Sequence, residues 1–320
     1  MRLCNYRPLP AAHDVPSLAG LVLEGRVLDL ATLAADADAD AAAHRPPHAG
    51  VDAGSLAGWL ELCRRLDPAR LARIEGIPLE QVALAPPVDP VASFRDFYAF
   101  EEHVRSARAR RGLEMIPEWY EQAVFYFSNP RSIVGHGAPV TAPPYGSWLD
   151  FELEVGCVIG RGGRDITAER AEQHIAGYAV LNDWSLRDVQ RQEMKVGLGP
   201  AKGKDFATSL GPLLVTPDEL EDRRAGKGYD LRMTARVNGQ LISDGNWKTI
   251  HFGFAELIAR ASQGVELYPG DLLGSGTVGT GCILELGPER AGGWLKPGDV
   301  VELEVERLGA LVNRVRAGGA

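Results

Sequence analysis

Lysine is scarce in this chain. Only 6 of the 34 basic residues are Lys, and three of them, Lys195, Lys202 and Lys204, fall close together. A protein that draws its surface charge from Arg and clusters Lys in one place has a local use for a compact ammonium donor. Basic charge is short as a whole, with 34 Lys and Arg against 43 Asp and Glu and a net charge of −9. That balance excludes nucleic acid as a partner, because phosphate binding needs a basic face. The densest basic run, Arg105 to Arg111, follows two glutamates and reads as a solvated helical face. Cysteine is sparse too: Cys4, Cys63, Cys157 and Cys282 are scattered and form no CxxC. This excludes a disulfide framework and a thiolate metal motif, and predicts reduced, structural thiols in a cytoplasmic protein. No run of roughly 18 apolar residues occurs, so no membrane span is expected. The opening stretch, MRLCNYRPLPAAHDVP, lacks the apolar centre of a signal peptide.

What remains is an ordinary globular composition, 45% hydrophobic and 24% charged, over 320 residues. That length suits one large domain, or one domain with a smaller module. Residues 1–88 read as a small N-terminal module. It holds strand-like pieces (GLVLEG, RVLDLATLA), a low-complexity stretch (ADADADAAAHRPPHAG) expected to be a mobile loop, and two helical patterns. The second helix is expected to start at Asp67-Pro68. The proline-rich ALAPPVDPV marks a linker, and residues 89–320 form the second unit. There, short strand-like runs dominate, such as FYFSN, SIVGHG, FELEVGCVIG, YAVLND, PLLVTP, LRMTARVNG and DVVELEVERLG. Two helical patterns, AERAEQHIA and FGFAELIARASQ, interrupt them. The class predicted is α+β and β-rich, a roll or barrel-like sandwich rather than a doubly wound sheet.

Four carboxylates stand out. In FELEV, Glu152 and Glu154 alternate with apolar residues, so a strand would aim both the same way. ELE alone is more simply a strand with one wet face, but this one runs into the buried-type VGCVIG. Asp183 ends the apolar run YAVLND, where a carboxylate either lines a site or caps the next helix. Arg187 and Gln190 follow at i+4 and i+7, and a helical turn would align them with Asp183. Asp96 and His103 are seven apart and would likewise align on a helix. The other histidines, His13, His44, His48, His136, His174 and His251, are read as surface or structural. The Gly-rich GSGTVGTG lacks the Gly-Lys-Ser/Thr ending of a phosphate loop and reads as a tight loop bringing backbone and Thr277 to a ligand. Glu285 is expected on a strand after it. Oxygen-only sets suit Mg2+, Mn2+ or Ca2+.

The strings RDFYAFEEH, LDFELEVG, NDWSLRDVQ, GKDF and the SGT loop, in this order, resemble the fumarylacetoacetase (fumarylacetoacetate hydrolase) family over roughly residues 90–307. The resemblance implies a mixed β-sandwich roll, a homodimer and a role in aromatic catabolism. It implies a divalent cation, Mg2+ ahead of Mn2+ or Ca2+, held by Asp96, Glu152, Glu154 and Asp183. His103 and Glu285 match the water-activating pair of the hydrolase branch. Lys204, Arg187 and Gln190 match its catalytic donors, with Arg187 and Gln190 also meeting substrate beside Tyr98, Tyr126 and Thr277. A further substrate-binding Arg does not align cleanly, leaving Arg110 or Arg111, and the stretch EMKVGLGPAKGKDF is a residue longer than its counterpart.

Together these imply hydrolysis of a carbon–carbon bond in a 1,3-diketo acid of the acylpyruvate or fumarylacetoacetate type by His-activated water, with a small keto-acid partner. The alternative is a metal-dependent decarboxylase or isomerase of β-keto or 2-hydroxydienoate acids, which needs enolate stabilisation but no attacking water. A third is a non-catalytic protein with a relic site, against which stands the retention of every acid, base and ligand position.

Overall fold

The computed structural model describes residues 1–10, 16–37 and 56–318. Most of the low-complexity stretch, residues 38–50, and His13, His44 and His48 lie outside the described residues. The elements that build the site and its support are, in chain order, β1 (Arg2–Pro8), β2 (Leu18–Leu23), β3 (Arg26–Asp29), α1 (Leu30–Ala37), α2 (Leu56–Arg65), β4 (Phe94–Phe97), α3 (Glu101–Ala109) and β5 (Phe125–Ser128). They continue with β6 (Leu153–Ile159), β7 (Ile175–Asp183), α4 (Arg187–Val196), β8 (Thr208–Val215), β9 (Arg232–Val237), β10 (Gln240–Asn246), α5 (Phe254–Ser262), β11 (Leu272–Gly274), α6 (Ile283–Leu286), β12 (Val300–Val305) and β13 (Gly309–Arg316).

The fold is the expected strand-rich α+β class. One sheet of 12 strands runs β3-β2-β1-β8-β7-β6-β11-β4-β5 through its middle, and a second sheet of five contains β10-β9-β12-β13. At the centre of the large sheet, β7 (IAGYAVLND) is buried at every residue. A strand covered on both faces tolerates no polar alternation, which is why it reads as an apolar run. Its alternate residues serve two cores: Tyr178 and Val180 pack on the side of the five-stranded sheet, with Met233, Leu303 and Leu311. Ala179 and Leu181 pack on the other side, with Leu56, Trp59 and Leu60 of α2. The first strand joins the same sheet, since Arg2 and Leu3 of β1 pair with Val215 and Leu214 of β8.

Local readings hold where a period or a cap decides, and fail where neither does. Asp67 accepts from the Ala69 amide at 3.0 Å at the expected start of the short helix Pro68–Leu71. RVLDLATLA is a strand only to Asp29; there Asp29 Oδ1 accepts the Thr32 amide at 2.7 Å, so the same aspartate caps α1. AERAEQHIA is not an α-helix but a 3₁₀ segment, Ala168–His174, that hands over to β7 at Ile175. Glu285 sits on a single helical turn, α6, rather than on a strand.

Candidate active site

Strand register gathers the carboxylates at one end of four adjacent strands. Asp96 of β4 pairs with Gly274 of β11, and Gly274 pairs with Gly156 of β6, two residues beyond Glu154. On the other side of β6, Leu153 pairs with Asn182 of β7, next to Asp183. Gly274 is glycine for lack of room: a Cβ there would collide with Asp96 Oδ1 and come within 3.1 Å of Glu154 Oε2.

Asp96, Glu152 and Glu154 each offer an oxygen within 4.8 Å of the others, and all three are buried. Asp183, also buried, stands beside them. Its Oδ2 accepts from Tyr126 and from Lys204 Nζ, the latter at 2.6 Å. Lys204 also donates to Glu152 Oε2, and Arg187 Nη2 donates to Glu152 Oε1 at 2.8 Å. Glu154 accepts from the Gly276 amide at 3.1 Å and from the Thr277 hydroxyl at 3.4 Å. Asp96 Oδ1 and Asp183 Oδ1 are buried with no hydrogen-bond partner among the described residues.

Charge is divided unevenly over this cluster. Burial works against ionised Glu152, but Lys204 and Arg187 outweigh it and hold its carboxyl far below the usual range. Burial, then the neighbouring Asp183, pushes Asp96 well up; burial, then Asp96 and Glu152, does the same to Glu154. Burial also lowers the preference of Lys204 for its proton, yet Asp183 and Glu152 overcome this and keep it cationic. Buried anions are stable only when paired or bound to a cation. Asp96 and Glu154 make no ion pair with a protein cation among the described residues, and the oxygen-only donor set, with unpartnered oxygens on Asp96 and Asp183, fits a hard divalent ion.

The second half of the site is a His–Glu pair. His103, on the first turn of α3, brings Nδ1 against Glu285 Oε1, and Glu285 Oε2 accepts the Thr280 amide at 2.8 Å. A carboxylate oxygen accepts, so Nδ1 is the donor of this pair and Nε2 is left free of it. Tyr98 packs edge-on to the imidazole, with ring centroids 5.2 Å apart. His103 lies near enough to Glu152 to help hold that carboxyl down. Burial pushes the Tyr98 phenol up to about 12.

The candidate site residues thus fall in one neighbourhood, although not by the routes expected, whereas of the clustered lysines only Lys204 reaches it: Lys202 pairs with Asp205 and Lys195 is exposed. Asp96 and His103 do not share a helix; a strand end and a helix start, joined by Tyr98–Phe100, bring them together. Arg187 and Gln190 are not aligned with Asp183 on a helix, because Asp183 closes β7 and α4 begins only at Arg187. Instead Arg187 Nη1 donates to Gln190 Oε1 at 3.0 Å. Arg110 Nη2 donates to the Glu285 carbonyl at 2.9 Å, while Arg111, just past α3, donates Nε to the Ala107 carbonyl at 3.1 Å and lies near enough to Tyr98 for its charge to act on that phenol.

One residue escaped the sequence reading. Asp150, fully buried, accepts from the amides of Phe151, Ile283 and Leu284 and from Arg187 Nε, at 2.8–3.0 Å. It ties the Arg187 that grips Glu152 to the turn that carries Glu285. The signal was present: 150, 152 and 154 are successive alternate positions, so the acidic face of LDFELEV extends one step further back.

The chain is similar to known proteins over most of its length. Rat "Oxaloacetate tautomerase Fahd2a, mitochondrial" is 32% identical over 297 residues, covering 84% of this chain and 87% of that protein. "2,4-didehydro-3-deoxy-L-rhamnonate hydrolase" of Sphingomonas sp. (strain SKA58) is 39% identical over 179 residues, 56% of this chain and 59% of that protein. The chain spans about 59% of the length of several curated relatives that it matches. Among solved structures, maleylpyruvate hydrolase from Sphingobium sp. SYK-6 in complex with manganese (II) ion and pyruvate superposes with a TM-score of 0.71 over 100% of both chains, at 23% identity, a likeness of fold. No described helix is long and apolar enough to cross a membrane. Residues 92–316 match the family model described as Fumarylacetoacetate (FAA) hydrolase C-terminal, and with it the chain belongs to the fumarylacetoacetate hydrolase family.

Proposed function

We propose that this protein hydrolyses a carbon–carbon bond in a 1,3-diketo acid of the acylpyruvate type. The observation that carries this reading is the His103–Glu285 pair, buried beside four carboxylates and braced by the Thr280 amide. Asp96, Glu152, Glu154 and Asp183 would hold a divalent cation, Mg2+ by preference, which when bound supplies Lewis-acid stabilisation of enolate charge. His103 Nε2 takes a proton from water, and the water oxygen attacks the distal carbonyl carbon. The bond between that carbon and the central carbon breaks, its electron pair passes into the pyruvate-side enolate, and the imidazolium returns the proton to carbon. Glu285 keeps the imidazole in the tautomer this requires. Lys204, fixed between Glu152 and Asp183, keeps its ammonium at the carboxylate cluster where anionic charge develops. Tyr98, Tyr126, Gln190 and Thr277 would frame the substrate, and a homodimer is the assembly we expect.

A second reading, tautomerisation of a 2-oxo diacid, is favoured by the rat relative, whose name gives oxaloacetate as its substrate class. It uses the same carboxylates and moves a proton between carbon and oxygen without an attacking water. Ultraviolet assays with acylpyruvates and with enol-oxaloacetate, each with and without Mg2+, separate the two. Metal-dependent loss of diketone absorbance, abolished in His103→Ala, is the expected result. Ketonisation of oxaloacetate with no diketone cleavage would replace the first reading by the second.

A further inference from the structure

A second group of ligating atoms meets beside the carboxylate cluster, assembled from residues 179 positions apart in sequence and so invisible to any spacing rule. Cys282 caps the short turn α6 and Glu285 follows three residues later, which turns both side chains to one face. His103 reaches the same point from α3. One ligand atom from each of His103, Cys282 and Glu285 lies within 4.8 Å of the other two, and all three residues are buried. Cys282 Sγ is 3.8 Å from Glu285 Oε1, the oxygen that also meets His103 Nδ1.

The donors differ in kind from those next door. Asp96, Glu152 and Glu154 offer only oxygen, whereas this group offers imidazole nitrogen, sulfur and one carboxylate oxygen, the set that borderline-soft ions select. Bond lengths of about 2.0–2.3 Å around a tetrahedral Zn2+ place ligand atoms about 3.3–3.7 Å apart, a spacing that small side-chain rotations reach from the one observed. The thiol has no part in the proposed reaction. Burial pushes it well up, so it stands protonated at neutral pH.

We propose that His103, Cys282 and Glu285 form a second, soft-metal site for one Zn2+, and that its occupation switches the enzyme off by taking His103 out of acid–base work. Binding exchanges the S–H bond of Cys282 for a Zn–S bond and releases that proton, while the proton on His103 Nδ1 moves to Nε2 so that Nδ1 can ligate, with no change of oxidation state. The fourth position of the ion is left to water. Binding stands on the geometry of the three side chains alone; the inhibition rests on the base role of His103 proposed above.

Co2+ is the probe that separates these two statements. Titrated into wild-type protein at saturating Mg2+, Co2+ should produce a near-ultraviolet thiolate-to-cobalt band that saturates at one equivalent. Cys282→Ser should lose the band, and Asp96→Asn should keep it. Zn2+ should inhibit the Mg2+-loaded wild type at concentrations about tenfold or more below those that Cys282→Ser requires. Absence of the band in wild type would overturn the site, and this spectrum depends on no variant folding. Equal Zn2+ sensitivity of wild type and Cys282→Ser would also overturn it, placing Zn2+ in the oxygen cluster instead. A thiolate band with undiminished turnover would sustain the metal site and overturn the base role of His103.

Discussion

Asp150 and Asp96 are both buried aspartates of the same site, and their surroundings are opposite. Asp150 receives three backbone amides and the Arg187 guanidinium. Asp96 has one oxygen with no partner among the described residues, and after burial the carboxylate of Asp183 acts on it most strongly, with Lys204 opposing only in part. A buried anion with its lone pairs filled is a brace. One left open among like charges is a place for an ion that the protein itself does not supply. The same contrast runs inside the ELE motif, where Glu152 is clasped by Lys204 and Arg187 and Glu154 is clasped by no cation among the described residues.

The largest expected effect comes from breaking the brace. Asp150→Asn puts an amide where Arg187 and backbone donors need an acceptor, and removing one partner of a buried ion pair costs about 3–5 kcal/mol. Thermal melting of the cation-free protein should show a clear loss, with activity falling because Arg187 and α6 both lose their anchor. Asp96→Asn should behave in the opposite way. It removes a charge that repels its neighbours, so the cation-free protein should melt no lower than wild type, while affinity for Mn2+ or Mg2+ falls by about 100-fold or more and turnover is lost with it. A lower melt for Asp96→Asn than for Asp150→Asn would erase the distinction between the two residues.

Acidity sharpens the same contrast. In the cation-free fold Asp96 and Glu154 are raised, so between the ordinary carboxylate range and their raised values the folded state binds more protons than the unfolded one. Stability contributed by these two groups therefore falls as pH rises through that window. Glu152, held low, contributes in the other sense, with stability present above its ordinary value and lost as pH drops. Saturating Mg2+ should abolish the decline at higher pH; melts across pH with and without Mg2+ measure this directly. The smallest effect expected is from Thr277→Val, which removes one long hydrogen bond to Glu154. Cation affinity should weaken by no more than about tenfold, the scale of a single neutral-to-charged hydrogen bond.

Much of this site was legible in the sequence because short-range periods carry it. Glu152 and Glu154 share a face by strand alternation, and Asp183 stands where a fully buried strand ends. What the sequence could not supply were the joins. Asp96 and His103 meet through a strand-to-helix turn, which no single period describes, and Glu285 is placed by a four-residue turn too short to leave a pattern. Asp150 went unread because its role depends on amides 133 and 134 positions away. Cys282 was dismissed with the other cysteines on spacing alone, yet it is the one that long-range packing brings to His103.

We propose that the open carboxylates, Asp96 with Glu154, take a divalent cation that Lys204 and Arg187 do not replace. Calorimetric titration of Mn2+ into the cation-free protein tests it most directly, carried out in two buffers of different ionisation enthalpy. One ion per chain should bind, with proton release, and Glu154→Gln should lose that binding. Equal binding by wild type and Glu154→Gln, or binding without proton release, would contradict it.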